Sequence, residues 1–225
     1  HGAPNVRNYR EEGYPANAVV NYLSMLGWSS PSGSEIMEID QIISEFTLER
    51  VSKSPSIFDR TKMNWVSSRH ITGGGAERYF QQARRHFPDS FRDKYSEQQL
   101  RMIFDLVSES ISKFSEIEKE AAVFAPGEIS FSREALEVLS GRKDLIEALI
   151  INLESFDGWE RDDIRAAIRE AGKKAGVKGK DLYVPLRAAI TGEEEGPDLS
   201  SVIRIKGRDD IIDGLRQALA RIESG

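Results

Sequence analysis

Four basic side chains stand four residues apart, Arg161, Arg165, Arg169 and Lys173. On a helix that spacing sets them along one slowly drifting face, while Ile164, Ala167, Ile168 and Ala171 take the opposite one. Lys174, Lys178, Lys180 and Arg187 follow. Residues 161–187 therefore hold eight basic residues against four acidic ones (Asp162, Asp163, Glu170 and Asp181), a local +4 in a chain of net charge −6. A phosphate backbone suits such a face. Plain solvent suits it too, and is the commoner fate of a charged helix face. The strip alone leaves two classes open: a nucleic-acid binder, and a helical protein-interaction module that meets an acidic partner.

Other constellations carry less. Gly172-Lys-Lys-Ala-Gly-Val-Lys-Gly-Lys180 invites a phosphate-loop reading, but its glycines do not fit G-x-x-x-x-G-K-[ST] and no strand precedes it. Ser110-x-x-Lys113 fits the S-x-x-K of serine acylases without the partner motifs that chemistry needs. His1, His70 and His86 lack H-x-x-x-H spacing, and there is no cysteine, so no metal site and no thiol nucleophile is expected. No two carboxylates are brought together in an apolar setting as a glycosidase requires. No catalytic set is legible.

The elements that must position the strip follow from periodicity. The chain has 225 residues, 39% of them hydrophobic, with no apolar run of membrane length, so a soluble folded protein in the cytoplasm is expected, without disulfides. Val19, Val20, Leu23 and Leu26 predict a helix ending at Gly27 as its left-handed cap, and Trp28–Ser34 a turn. Ile39, Ile42, Ile43 and Phe46 mark a second helix, and Asp59 caps a third through Met63, Trp65 and Val66. After Gly73–Gly75 helical spacing resumes, with Ser96 and Gln99 as a capping-box pair. Ala125-Pro-Gly-Glu128 is the best internal boundary, because the proline stops a helix and the glycine permits a turn. Beyond it helices are predicted from Ser132, from Asp144, behind a box of Asp157 and Glu160, and from Asp209 to Ile222, with an acidic turn over residues 192–197. The tryptophans Trp28, Trp65 and Trp159 are assigned to core. No alternating stretch is long enough for a strand. The expected fold class is all-α, in two consecutive helical domains, 1–125 and 126–225.

Several segments then resemble one family. Tyr9-Arg-Glu-Glu-Gly-Tyr14, Asn21-Tyr-Leu23, Leu26-Gly-Trp-Ser29, Phe46-Thr-Leu-Glu-Arg-Val-Ser52 and Phe58-Asp-x-x-Lys62-Met-x-Trp65 are similar to the segment after the KMSKS loop of bacterial glutamyl-tRNA synthetases. Gly176-Val-Lys178, Pro185-Leu-Arg-Ala-Ala-Ile-Thr-Gly192 and Gly196-Pro-x-Leu199 resemble the anticodon-binding end of the same enzymes. The likeness covers nearly the whole chain in the family's order.

The resemblance implies a stem-contact domain over 1–125 and an anticodon-binding domain over 126–225, a monomer that grips tRNA(Glu), with tRNA(Gln) as a second candidate, and no membrane. It implies that Arg187 meets an anticodon base, where a planar guanidinium can stack and donate together, and that Thr191, Pro197 and Leu199 line the same pocket. Arg161, Arg165, Arg169, Lys173, Lys174, Lys178, Lys180 and Lys62 would hold tRNA phosphates. ATP and Mg are implied for the parent enzyme and not for this stretch, which carries neither an HIGH motif nor a KMSKS lysine. The start at His1-Gly2 resembles the point just past that loop. Three departures stand out: Pro15 follows Tyr14 directly, Ser67 and His70 replace the usual Asn and Tyr, and Ser110 stands where some members carry an arginine that selects the third anticodon base. Glutamate-only and glutamate-plus-glutamine specificity both stay open.

Overall fold

A computed structural model describes residues 5–224. The His1-Gly2 start lies outside the described residues. The chain separates into two compact units, one up to Ala122 and one from Val123. The first unit holds α1 (Val6–Glu12), α2 (Ala16–Met25), α3 (Ile39–Glu45), α4 (Arg60–Ala83), α5 (Asp89–Lys94), α6 (Glu97–Val107) and α7 (Ile117–Glu120). The second holds α8 (Arg133–Leu139), α9 (Lys143–Ser155), α10 (Arg161–Ala175), α11 (Lys180–Thr191), α12 (Leu199–Lys206) and α13 (Arg208–Ser224). Among the described residues there is no sheet, only one isolated antiparallel bridge between Trp28 and Val51. The protein is all-α, as its periodicity predicts.

In the first unit, the Asp59 carboxylate accepts from the amides of Thr61 and Lys62 at 2.8 and 3.3 Å and starts α4. The expected break at Gly73–Gly75 narrows to one residue. The helix runs on through Gly73 and Gly74, and only Gly75 leaves helical geometry, at φ +50° and ψ −159°. The amide of Ala76 beyond the kink is taken by Asp105 Oδ1 at 2.7 Å. Gly74 is small for a different reason: a Cβ there would lie 2.4 Å from the Tyr79 ring. The Ser96–Gln99 capping box forms as expected.

Two expectations for α2 fail. The helix stops at Met25 with Leu26 in right-handed geometry, so Gly27 is not a left-handed cap. Its buried face is Ala18, Val19, Asn21 and Tyr22, while Val20 and Leu23 are exposed. Asn21 is drawn inside because its side chain is spent on partners: Oδ1 accepts from the Met37 amide at 3.0 Å and from His70 Nε2 at 2.9 Å, and Nδ2 donates to Glu35 O at 3.1 Å. Of the α3 residues in the apolar reading, Ile42 is buried and Ile43 is 70% exposed.

In the second unit the α9 residues Leu145, Ile146, Leu149 and Leu153 are buried, as are Ile164, Ala167, Ile168 and Ala171 of α10, and the two helices pack together. Asn152 bridges them, donating from Nδ2 to Ala167 O at 3.0 Å and accepting from Lys174 Nζ at 2.8 Å. The box expected at Asp157 and Glu160 is displaced by three residues. Glu160 is the N-cap of α10, and its amide donates to Asp163 Oδ2 at 3.0 Å. Gly158 makes room for that Asp163 carboxylate, since a Cβ there would meet it at 2.2 Å. Trp28 is core, whereas Trp65 and Trp159 are only partly buried. The Trp159 indole donates to Arg204 O at 3.3 Å and lies beneath the Arg208 guanidinium.

Candidate nucleic-acid interface

The site rests on α11. Leu186, Ala188, Ala189 and Ile190 are buried, which fixes the helix roll and leaves Tyr183, Arg187 and Thr191, four residues apart, along the outward side. Pro185 sits inside the helix, where it removes one backbone donor. The helix ends at Gly192, left-handed at φ +78°, whose amide donates to Ala188 O at 2.9 Å. A Cβ on Gly192 would lie 2.1 Å from Ser130 O, and Ser132 N donates to Gly192 O at 3.0 Å. Only glycine fits here. That explains the last residue of the Pro185–Gly192 motif on packing alone.

The following loop returns to the arginine. Arg187 donates from Nη1 to the carbonyl of Pro197, and Gly196 lies close enough that a Cβ there would touch Nη1 at 3.4 Å. The Thr191 hydroxyl has Arg187 O and Glu193 O as acceptors at 2.9 and 3.1 Å, and accepts from Glu193 N at 3.2 Å. Burial lowers the pKa of Arg187 and the nearby Asp198 opposes that; the guanidinium stays charged. Asp198 caps α12. Burial would raise its pKa, but hydrogen bonds from Ser200 and Ser201 and the charge of Arg161 outweigh this and hold it at about 2.

The predicted residues fall into distinct roles. Arg187, Thr191 and Pro197 come together around one loop. Leu199 opens α12 with its side chain buried in the core, so it lines no open pocket here. Ser110 lies in the first unit, exposed, its amide donating to Val107 O at 2.9 Å. On the strip, Arg161 is committed to Asp198 at 3.1 Å and Ser200 at 3.2 Å, Lys173 to Glu170 at 3.2 Å, Lys174 to Asn152, and Arg165 lies 3.8 Å from Asp162. Arg169, Lys178 and Lys180 are exposed, without an ion pair among the described residues. Lys62 pairs with Glu35 at 2.7 Å and stands 3.9 Å over the Trp65 ring. Sequence reasoning passed over Tyr183, 41% exposed one turn before Arg187; the four-residue spacing was its signal.

Residues 78–219 match the family described as the anticodon binding domain. The chain belongs to that family. Residues 3–65 match a second family, the catalytic domain of class I tRNA synthetases (E and Q). Relatives of the chain include the glutamate–tRNA ligase of Carboxydothermus hydrogenoformans, 35% identical over 92% of the chain and 45% of the relative. The glutamate–tRNA ligase of Natranaerobius thermophilus is 34% identical over the whole chain and 48% of its own length. The crystal structure of a glutamate tRNA ligase from Elizabethkingia meningosepticum in complex with its amino acid superposes with a TM-score of 0.84 at 25% identity, covering 94% of this chain and 42% of that one. The chain thus spans about half the length of the curated relatives it matches.

Two of the residues that depart from the family pattern, Ser67 and His70, are absorbed by packing. The Ser67 hydroxyl donates to Ser112 O at 2.5 Å, and His70 is the buried partner of Asn21. Among the described residues no group of three His, Asp or Glu side chains could hold a metal ion, and no helix is long and apolar enough to cross a membrane.

Proposed function

We propose that the chain binds tRNA(Glu) as a monomer, residues 1–125 contacting the stem and residues 126–225 reading the anticodon. The observation that carries this is the α11 face: Arg187 is held at one nitrogen by Pro197 O, which leaves its remaining N–H groups and its plane for a base, with the exposed Tyr183 ring one turn away. Unstacked loop bases are read by such stacking and edge hydrogen bonds. Glu193, Glu194 and Glu195 line a cleft with Ser132 and Glu134 just past Thr191. These carboxylates repel phosphate, so a base edge suits Arg187 better than a backbone does. The polypeptide of the relatives' length would attach glutamate to tRNA with ATP and Mg; this chain would contribute RNA recognition and no catalytic group.

The test is binding of the chain to tRNA with a glutamate anticodon, a glutamine anticodon and an unrelated one, across a salt series. Preference for the glutamate anticodon, with affinity falling steeply as salt rises, supports the reading. Equal affinity for all three removes the anticodon claim, and retention of the glutamine form extends the specificity to tRNA(Gln). One observation favours a protein-interaction module: Ile43, Leu48 and Ile57 are 70%, 77% and 88% exposed. Failure of all three tRNAs to bind would leave that reading standing.

A further inference from the structure

Of the ten arginines in residues 5–122, five form ion pairs, while Arg7, Arg10, Arg50, Arg69 and Arg85 form none among the described residues. Arg60 meets Glu12 at 2.6 Å, Arg78 meets Glu38, Arg84 meets Glu97 at 3.6 Å, Arg92 meets Asp89, and Arg101 meets Glu97 at 3.1 Å. Arg7, Arg10 and Arg85 have no carboxylate partner among the described residues, and these three line one cleft of about 290 Å³ together with His86 and Glu11. The three side chains are exposed, so solvent screens their mutual repulsion, but together they give the cleft a positive potential that attracts an anion.

The cleft is also held in shape. Gly13 ends α1 at φ +85°, and a Cβ there would lie 2.9 Å from Ser115 N and 3.1 Å from His86 Cε1, so the backbone of α1 runs directly against these neighbours. Phe114 N donates to Gly13 O at 2.9 Å, and the His86 ring packs on Phe114 with centroids 5.9 Å apart. Arg85 Nε donates to His86 Nε2 at 3.3 Å, which orients the guanidinium, and its two terminal nitrogens have no hydrogen-bond partner among the described residues. Arg7 and Arg10, three apart on α1, supply the facing wall. Three guanidinium groups around one cleft, against the single carboxylate of Glu11, match the oxygens of a phosphate group in charge and fork geometry.

We infer that the cleft between α1 and the Arg84–His86 turn binds a phosphate group through Arg7, Arg10 and Arg85. This goes beyond the reading of α11 and does not depend on Arg187. The group can be an RNA phosphodiester or free phosphate, and the experiment separates them. The 225-residue chain is titrated with inorganic phosphate, and separately with an RNA hairpin stem that has no anticodon loop. The triple variant Arg7→Gln, Arg10→Gln, Arg85→Gln changes only exposed side chains; its folding is checked by thermal unfolding, and Arg85→Gln alone gives a second reading on another element. Phosphate binding should weaken about tenfold or more in the triple variant. Glu11→Gln should strengthen it by about twofold, since a nearby repulsive charge is removed in high dielectric. A hairpin salt slope about one unit smaller in the triple variant identifies RNA as the source. An unchanged slope with phosphate binding lost identifies free phosphate. Undiminished phosphate binding by the folded triple variant, or no phosphate binding by the wild type together with an unchanged hairpin slope, overturns the inference.

Discussion

The guanidinium of Arg187 donates to the carbonyl of Pro197, ten residues further on, so the arginine that faces outward from α11 also closes the loop leading into α12. Recognition and local architecture share one side chain. Its substitution therefore has to be read with two measurements, one of RNA and one of folding.

Arg187→Ala is expected to weaken binding to tRNA with the glutamate anticodon by about 1–3 kcal/mol, as for one lost stacked or bidentate base contact. Its cost to stability should be smaller, about 1 kcal/mol, because Pro197 is only partly buried and water can take the place of the lost donor. Arg187→Lys should restore the loop contact without the stacking plane, so stability recovers and affinity does not. Equal weakening of cognate and altered tRNA would reduce Arg187 to a loop clamp with a phosphate contact. Tyr183→Ala, which disturbs no hydrogen bond, should weaken the same cognate complex by about 1–3 kcal/mol.

The basic strip is expected to act unevenly. Arg161, Lys173 and Lys174 already have partners within the second unit, whereas Arg169, Lys178 and Lys180 have no ion pair among the described residues. Replacing the latter three by Ala should weaken cognate and non-cognate tRNA alike and lower the salt slope by about one unit per lost phosphate contact. A triple variant with the wild-type slope would make the strip a solvated helix face.

Much of this fold is legible because capping and packing are local. Asp59, Ser96 and Ser132 start helices where their side chains dictate, and the apolar stripe of α10 is buried as its spacing requires. The misreadings sit where a distant residue decides. Asn21 is buried because Met37, Glu35 and His70 use its side chain, and Leu199 is core because α12 turns it inward. The α11 site is legible in part: Gly192 is dictated by Ser130, sixty-two positions earlier, a relation no spacing rule exposes. Pairing decides the strip in the same way, since Asp198 and Asn152 are far from it in sequence.

His70 should make the first unit acid-sensitive. Burial lowers its pKa, with Arg78 adding to the effect and Glu38 opposing it, and Nε2 must carry the proton that Asn21 Oδ1 accepts. Burial likewise lowers His86, helped by Arg85. The native state favours the neutral rings. Above about pH 6.5 the histidines are neutral folded and unfolded and stability is flat. As pH falls below that value the unfolded chain takes up protons the native rings resist, so stability declines. His70→Gln, which can still donate to Asn21, should lessen this decline in urea unfolding between about pH 7 and 5. An undiminished decline in that variant would assign the sensitivity to His86 or to other groups.

Asp198 should give the second unit a separate acid response. Its carboxylate binds Ser200 Oγ at 2.5 Å, Ser201 N and Oγ at 2.9 Å, and Arg161 Nη2 at 3.1 Å, which holds its pKa at about 2 against an ordinary 3.8. The difference of nearly two pH units corresponds to about 2 kcal/mol at about 1.36 kcal/mol per pH unit. Its side chain is 40% exposed, so solvent screening reduces the contribution to about 1 kcal/mol. Because the folded value is depressed, this stability is present above about pH 4 and is lost as pH falls from there towards 2. Asp198→Asn keeps an acceptor for the helix cap but not the charge. It should destabilise the second unit by about 1 kcal/mol at pH 6 and by much less near pH 2, where the wild-type carboxylate is half protonated. It should also release Arg161, steepening the salt dependence of tRNA binding by up to about one unit. A stability difference that stays constant from pH 6 to 2 would mean the Asp198 charge has no part in holding α10 to α12, and an unchanged salt slope would mean Arg161 reaches no phosphate even when freed.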